Sequence, residues 1–307
     1  MEQQTPMATR LANSAAFWFA VIVLSFSPAS QARAPEAEPT ATEQTDLEPT
    51  RLLLLELWPR VLVAANVDTA ETGTGLDVQF ATDGPPLALS RENTRRGFVL
   101  LVNRDFIAEN DRLLDGMLIA NRLNLHESFR SFALDRAAAL AAADSDAPVR
   151  VRTFNESIGW SAEGFERVRT QAGFHEAARA ARLQGLLWLL ARVVIRSALP
   201  LREGAKRSTD SPDKRAAQLT FEISGSPFPP LSTGLLTAAL EHPRGAAREE
   251  PIACAMAAWL ATGDAILRAL PDFNRRMERD PKLQRSMEGI AKDIEQLRDR
   301  GRCATPL

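Results

Sequence analysis

The sequence has few of the side chains that build metal and redox sites. Its 307 residues include two cysteines and three histidines, and the histidines are His126, His175 and His242. A closed zinc site needs four Cys or His ligands at short spacings, which these widely separated residues do not offer. His175-Glu176 begins like the helical zinc signature His-Glu-x-x-His, but Arg179 stands where the second histidine belongs. The sequence therefore predicts no metal site and no cofactor, and we expect each histidine to be a surface or capping residue.

A basic excess, a phosphate-binding loop and a nucleophile elbow are also missing. The formal net charge is -2, with 25% charged and 45% apolar residues, so the charge balance does not favour nucleic acid as a partner. No glycine-rich loop is followed by a lysine, and no Gly-x-Ser-x-Gly elbow occurs. Without these motifs the sequence points to no particular enzyme class. An enzyme whose catalytic site is assembled from scattered Asp, Glu and Ser residues is a further alternative. The abundant alanine and the excess of arginine over lysine are typical of GC-rich bacterial genes.

A short apolar run, Ala15–Phe26 (AAFWFAVIVLSF), lies near the start of the chain. A helix that crosses a bilayer needs about 20 apolar residues, so this run is too short for a stable membrane span. It matches the apolar part of a secretory signal, with Arg10 as the positive charge that precedes it. We therefore predict a signal peptide over residues 1–32 and a periplasmic or secreted protein. An uncleaved anchor is the alternative.

Small residues after the apolar run fit a cleavage site that ends at Ala32 or at Ala34. Pro35 would directly follow a cut at Ala34 and is expected to hinder it, so the sequence favours cleavage after Ala32. Translation could start at Met1 or at Met7. No cysteine follows the run closely enough to carry a lipid anchor, and no such anchor is predicted.

The two cysteines, Cys254 and Cys303, both lie in the part of the chain that would be exported. Disulfides form in oxidising compartments, so export favours a bond between them. This bond would close a loop of about 50 residues and tie the C-terminus to an earlier helix. The alternative is two unrelated thiols, with Cys254 in the core and Cys303 in a frayed tail.

The exported part is predicted to consist of a linker and one domain. Residues 33–50 (RAPEAEPTATEQTDLEPT) are rich in Pro, Thr and Glu, which predicts a disordered linker. Residues 51–307 are predicted to form a single globular α+β domain that is predominantly helical. Between Arg51 and Phe106 the pattern favours strands and turns, including a short apolar run, Leu52–Leu57, that Trp58-Pro59 would stop. The small sheet is predicted from the segments near 76–81, 97–102, 148–154 and 217–223.

Helical periodicity dominates the rest of the chain. Helices are predicted over about 109–125, 128–143, 162–198, 231–241 and 252–270, with a last amphipathic helix that contains Leu283 to Leu297. Ser161 is the expected N-cap of the helix over 162–198, and Gly173 or Gly185 is the expected break in it. Gly301 is the expected C-cap of the last helix.

One apolar helix carries an unusual pair of charges. Leu186–Arg196 (LLWLLARVVIR) contains Arg192 and Arg196, and their spacing of four puts both guanidinium groups on one face. If this face is buried, the arginines need carboxylates, backbone carbonyls or a bound anion, because an unpaired buried charge is strongly unfavourable. If they lie at the boundary of the core, their stems are buried and their heads reach water. We name Arg192, Arg196, Glu249 and Glu250 as candidate binding residues.

The same helix resembles the zinc-binding helix of the zincin metallopeptidases. That family carries Ala-His-Glu-x-x-His, whereas this chain has Ala191-Arg192-Val193-Val194-Ile195-Arg196, with arginine at both histidine positions and valine in place of glutamate. In the family a later helix supplies a third ligand from a glutamate, and Glu249 or Glu250 stands in the corresponding place. The resemblance implies a protein that has lost its metal and its activity, with Glu249 or Glu250 neutralising the two arginines.

The leading functional prediction is an exported, non-enzymatic bacterial protein that binds an envelope partner or has a structural role. The alternative is a degenerate metallopeptidase-like protein. The two differ in one testable feature, because the alternative requires Arg192 and Arg196 to lie beside Glu249 or Glu250 in a cleft.

Overall fold

The computed structural model describes residues 41–91, 97–142, 152–205, 208–241 and 249–304. The predicted signal peptide lies outside the described residues, and so does the first part of the predicted linker. The chain has a predominantly helical α+β fold with one small sheet, which confirms the predicted fold class.

The described elements follow one another along the chain as helices on either side of three consecutive strands. In order they are α1 Ala41–Ala64, α2 Thr69–Thr72, β1 Gly75–Ala81, β2 Leu87–Arg91, β3 Gly97–Asn103, α3 Arg104–Leu123, α4 His126–Ala142, α5 Phe154–Ile158, α6 Ala162–Arg169, α7 Phe174–Arg196, α8 Pro212–Ser224, α9 Leu231–Glu241, α10 Glu249–Arg268, α11 Pro271–Met277 and α12 Pro281–Gly301.

Helix α1 occupies a region where the sequence pattern favours a linker and a strand. It begins at Ala41, within the segment 33–50, and continues past Pro59. The strand predicted over Leu52–Leu57 is wrong, because the apolar residues here are buried at helical spacing. The buried side chains are Leu53, Leu54, Leu57, Trp58, Val61 and Leu62. Pro59 lies on the exposed face, where its missing N–H removes one helical hydrogen bond.

The three strands form a mixed sheet in the order β1-β3-β2. β1 is parallel to β3, and β2 is antiparallel to β3. The predicted strands near 76–81 and 97–102 are confirmed, whereas β2 has no counterpart among the predicted strands. One face of the sheet packs on α1, where the Trp58 and Phe98 rings meet edge to face with centroids 5.1 Å apart. The other face of β1 carries exposed polar residues, so at this strand the sheet has one face toward the core and one toward solvent.

The strand predicted over 217–223 is wrong, because these residues belong to α8. Helix signals at both ends override the alternation of apolar residues. Ser211 caps the helix by accepting a hydrogen bond from the Lys214 backbone N–H, and Pro212 occupies its first turn. Gly225 ends it in the left-handed conformation, with φ of 77°. In the segment 148–154, residues 148–151 lie outside the described residues, and Phe154 begins helix α5 instead of ending a strand.

The helix predicted over 162–198 is interrupted at Gly173, one of the two glycines expected to break it. Ser161 caps α6 by accepting from the Gly164 N–H, and Gly173, with φ of 81°, precedes α7. The expected C-cap of the last helix is shifted by one residue. Gly301 is the final helical residue of α12, and Arg302 takes the left-handed conformation after it.

Helix α9 lies at the centre of the helical part and packs against α3, α4 and α10. Even its small polar side chains are buried, and Thr233 donates a 2.7 Å hydrogen bond to the Asn110 side chain of α3. Among the described residues, no single helix is long and apolar enough to cross a membrane. Helices α10 and α11 reach that length and composition only as a pair that is bent by 95°.

Candidate functional site: the Arg192 cluster

Arg192 and Arg196 lie together with two carboxylates that the sequence analysis did not select. The Arg192 Nε donates to Asp213 Oδ1 over 2.8 Å, and its Nη1 and Nη2 donate to the two Glu241 oxygens over 3.1 and 3.0 Å. Arg196 reaches the same two acids, with 2.7 Å to Glu241 and 3.3 Å to Asp213. We call these four residues the Arg192 cluster.

Two tryptophans hold the guanidinium group of Arg192 inside the core. The Trp188 and Trp259 rings meet edge to face with centroids 5.0 Å apart. The Arg192 guanidinium carbon lies 4.6 Å from the Trp188 centroid and 4.7 Å from the Trp259 centroid, so both rings make cation–π contacts with it. The side chain of Arg192 is only 4% exposed, whereas that of Arg196 is 42% exposed. Of the two expectations for this pair, the buried one holds for Arg192 and the boundary one for Arg196.

Four helices supply the Arg192 cluster and its rings. α7 contributes both arginines and Trp188, α8 contributes Asp213, α9 ends with Glu241, and α10 contributes Trp259. Asp213 lies in the first turn of α8, where a negative charge is favourable. Glu241 is the last residue of α9. The C-terminus of a helix carries a partial negative charge that repels a carboxylate, and the two arginines offset that repulsion.

The electrostatics of the cluster favour a charged but paired Asp213. Burial acts to raise the pKa of its carboxyl group, but Arg192, Arg196 and a hydrogen bond from the Trp259 side chain outweigh burial and hold this pKa below its ordinary value. With two arginines and two carboxylates the cluster is formally neutral. Its guanidinium and carboxylate groups are engaged with one another, so the arrangement stabilises the contact between α7, α8 and α9.

Asp213 and Glu241 are the residues that the sequence analysis missed. Asp213 belongs to the polar stretch 202–215, whose composition predicts an exposed loop; that prediction is wrong from Pro212 onward, where α8 begins. The Ser211-Pro212 pair that precedes it is an N-cap followed by a first-turn proline, and this local signal could have placed Asp213 on a helix. Glu241 ends a correctly predicted helix, but the sequence does not show which helix its end approaches.

Glu249 and Glu250 do not join Arg192 and Arg196, so the predicted grouping of these four residues is wrong. Glu249 accepts a hydrogen bond from Arg300, and Glu250 lies 3.6 Å from the Arg302 guanidinium. The cause is the packing of α10, whose first turn lies beside the end of α12. The geometry that the metallopeptidase resemblance requires is therefore missing around Arg192.

A second group of charges, the C-terminal cluster, surrounds Arg300. Its guanidinium group contacts Glu249, Asp135 and the Ser131 hydroxyl, which accepts from Nη1 over 2.6 Å. The hydrogen bonds to Glu249 and Asp135 and the negative charges of these two carboxylates outweigh burial and raise the pKa of Arg300. The cluster joins α4, α10 and α12, but the Arg300 side chain keeps 32% of its surface exposed.

The sulfur atoms of Cys254 and Cys303 lie at disulfide-bond distance, as the sequence analysis predicts, and their Cα atoms are 5.5 Å apart. Cys254 belongs to α10, and Cys303 lies two residues after the last residue of α12. Gly301 allows this close approach, because a Cβ atom there would lie 2.7 Å from the Cys254 sulfur and 2.8 Å from the Glu250 carbonyl oxygen. The pair therefore fixes the end of α12 to the first half of α10.

A cleft of about 170 Å³ lies between α4 and α12. Its lining residues are Glu127, Arg130, Ser131, Leu134, Gln296, Leu297 and Arg300. Arg130 contacts Asp293, while its Nε and Nη1 atoms are shielded from solvent without a hydrogen-bond partner. The Glu127 pKa is lowered because Lys292 and Gln296 donate hydrogen bonds to its carboxylate.

Two of the three histidines, His126 and His175, belong to the part of the chain that the structure describes, and His242 lies outside it. His126 Nδ1 lies 2.9 Å from the Asn121 side-chain oxygen, and the His175 ring packs edge to face against Phe174. In the part of the chain that the structure describes, no group of three or more His, Cys, Asp or Glu residues is arranged to hold a metal ion. No family model, curated protein or solved structure matches this chain.

Proposed function

We propose that this chain is an exported protein that acts outside the cytoplasm by binding a partner or maintaining structure, without catalysing a reaction. The observation that carries the proposal is the pairing of Cys254 with Cys303. These are the only cysteines of the chain, and structural disulfides persist in oxidising compartments. The apolar run Ala15–Phe26 and the small residues after it supply the matching export signal.

Export is tested by cell fractionation followed by mass analysis of the intact protein. We expect the protein in the periplasmic or secreted fraction, with Arg33 as its first residue and with no thiol that reacts before reduction. A cytoplasmic protein that still begins at Met1 or Met7 and has two reactive thiols would contradict the proposal.

The non-enzymatic part of the proposal is supported by how the Arg192 cluster is built. Its four charged groups neutralise one another, and the buried guanidinium of Arg192 is enclosed by Trp188 and Trp259. Such a cluster holds helices together, and its own acids and bases are paired with one another.

Metal analysis of the protein purified without chelators tests the prediction that the chain holds no catalytic metal. We expect no stoichiometric zinc. Zinc that remains bound in stoichiometric amount after dialysis would require ligands outside those described here and would contradict both the proposal and the metal-free alternative.

A further inference from the structure

Strand β1 lies at one edge of the sheet, and none of the described strands pairs with its outer side. The order β1-β3-β2 leaves it with a single strand neighbour. Among the described residues, no backbone hydrogen bond outside the sheet reaches residues 75–81. Native edge strands are usually protected by lysine, proline, a bulge or a very short length. β1 has seven residues in unbroken register with β3, and its one charged side chain is Asp77.

The two faces of β1 differ sharply in polarity. Leu76, Val78 and Phe80 point to the core side, and Val78 is only 2% exposed. Leu76 and Phe80 are only partly buried, so the apolar layer reaches the rim of the sheet. Asp77 and Gln79 lie on the solvent side, where the Gln79 amide donates a 2.7 Å hydrogen bond to the Asp77 carboxylate.

The residue types of β1 are symmetric about Val78. In an antiparallel pair of two β1 strands centred on this residue, Val78 faces its own copy and Leu76 faces Phe80 of the other copy. Asp77 faces Gln79, so the two acids do not oppose each other. The Gln79 amide has a second donor hydrogen, and the carboxylate has further lone pairs, so each amide can also bind the acid across the pair. A two-fold axis produces every one of these contacts twice.

We propose that the β1 edge is an interface with a second copy of this chain, in which two β1 strands pair antiparallel about Val78. The paired sheets form one six-stranded sheet in the order β2-β3-β1-β1-β3-β2. Main-chain hydrogen bonds and the joined apolar faces supply the attraction, and the Asp77–Gln79 pairs fix the register. This proposal is independent of export, because it rests on the sheet alone.

Sedimentation of the purified full-length protein over a series of concentrations, together with two substitutions at the exposed Gln79, tests the interface. The wild-type protein is expected to pass from monomer to dimer as its concentration rises. Gln79→Lys places a cation opposite each Asp77 and should tighten the dimer, whereas Gln79→Asp opposes two acids and should weaken it. With two such pairs per dimer, each Kd should change by about twofold to thirtyfold. Thermal unfolding of each variant at low concentration shows that its monomer is still folded.

Three results would overturn the proposal: a wild-type protein that stays monomeric up to millimolar concentration, a dimer whose Kd responds to neither substitution, or the opposite order of the two variants. A dimer that ignores both substitutions would use another surface. The next candidate for a dimer surface is the exposed apolar part of α1, which contains Leu52, Leu55 and Val63.

Cysteine cross-linking tests the register separately. Asp77→Cys and Gln79→Cys variants, mixed and oxidised, should form a disulfide-linked dimer faster than either variant alone, because positions 77 and 79 face each other only between copies. The native cysteines are bonded to each other, so they do not interfere. Equal rates in the mixture and in the two separate variants would contradict pairing about Val78.

Discussion

The Arg192 cluster and the C-terminal cluster use the same residue types, but the protein places them in different surroundings. The Arg192 side chain is 4% exposed and lies between two tryptophans, whereas the Arg300 side chain is 32% exposed and borders a cleft. A buried guanidinium depends on its carboxylates because water cannot replace them, while an exposed one regains water when a partner is lost. The comparison indicates that burial, and not the number of ion pairs, decides how much each cluster stabilises the fold.

The largest effect is expected for Arg192→Ala. The substitution removes the packing between Trp188 and Trp259 and leaves Asp213 and Glu241 without their main partner. We expect a loss of about 3–5 kcal/mol in the free energy of unfolding, measured by urea denaturation. Arg300→Ala is the matched control and should lose about 1 kcal/mol or less. Equal losses for the two variants would show that burial does not distinguish the clusters.

The disulfide adds a covalent link to the more exposed region. The paired substitution Cys254→Ala with Cys303→Ala removes a link between residues 49 positions apart. The chain-entropy model gives a loss of about 3–4 kcal/mol for a loop of this size. Calorimetry with and without reductant measures it. The wild-type protein should lose stability on reduction, and the substituted protein should be unaffected. A substituted protein that is as stable as the oxidised wild type would contradict a structural role for the bond.

Two glycines of α12 test how closely the C-terminal region is packed. A Cβ atom at Gly301 would lie 2.8 Å from the Glu250 carbonyl oxygen, whereas at Gly289 it would meet nothing within 4 Å. Gly301→Ala should therefore destabilise the protein by about 1–3 kcal/mol. Gly289→Ala should stabilise it by about 0.5–1 kcal/mol, because alanine favours an exposed helix interior. Thermal unfolding of both variants gives the signs, and equal signs would mean that α12 does not approach α10 as described.

The contrast between the two clusters also shows which part of the charge pairing can be predicted from the sequence. The apolar helix around Arg192 predicts correctly that a buried guanidinium needs carboxylates. It does not predict which ones, because Asp213 and Glu241 lie 21 and 49 residues away from Arg192, on helices whose packing leaves no trace in local periodicity. The sequence favours Glu249 as a partner of Arg192 because it stands at the start of a helix. In the fold, α10 packs so that Glu249 contacts Arg300 instead.

Elements with strong local signals are predicted well, and elements with conflicting signals are not. The break at Gly173 and the helix Leu231–Glu241 follow from glycine conformation and apolar spacing. The segment 217–223 alternates like a strand, but the cap at Ser211 and the left-handed Gly225 settle it as a helix. At α1 the proline Pro59 argues against a helix, and burial of the apolar rows against α7, α8 and the sheet outweighs that local preference.

The smallest expected effects distinguish two partly buried carboxyl groups, those of Asp213 and Asp293, by their response to pH. At Asp213 burial acts to raise the pKa, but Arg192 and its other partners outweigh burial and lower it. At Asp293 burial also acts to raise the pKa, and there it outweighs the opposing effect of Arg130. A lowered folded-state pKa contributes stability that is present above the unfolded pKa and is lost as pH falls through the folded pKa. A raised folded-state pKa gives the opposite pH dependence, because stability is gained as the pH falls through the folded pKa.

The stability of Asp213→Asn and Asp293→Asn relative to the wild-type protein should therefore change in opposite directions on acidification. The advantage of the wild type over Asp213→Asn should shrink below about pH 4, the range of an unfolded carboxyl group. The free energy of unfolding of the wild type, relative to that of Asp293→Asn, should increase as the pH falls toward the same range. The reason is that Asp293 takes up its proton at a higher pH in the folded state than in the unfolded state. Urea unfolding at a series of pH values gives both differences. If the two differences move in the same direction, the balance between burial and local pairing does not control the two carboxyl groups.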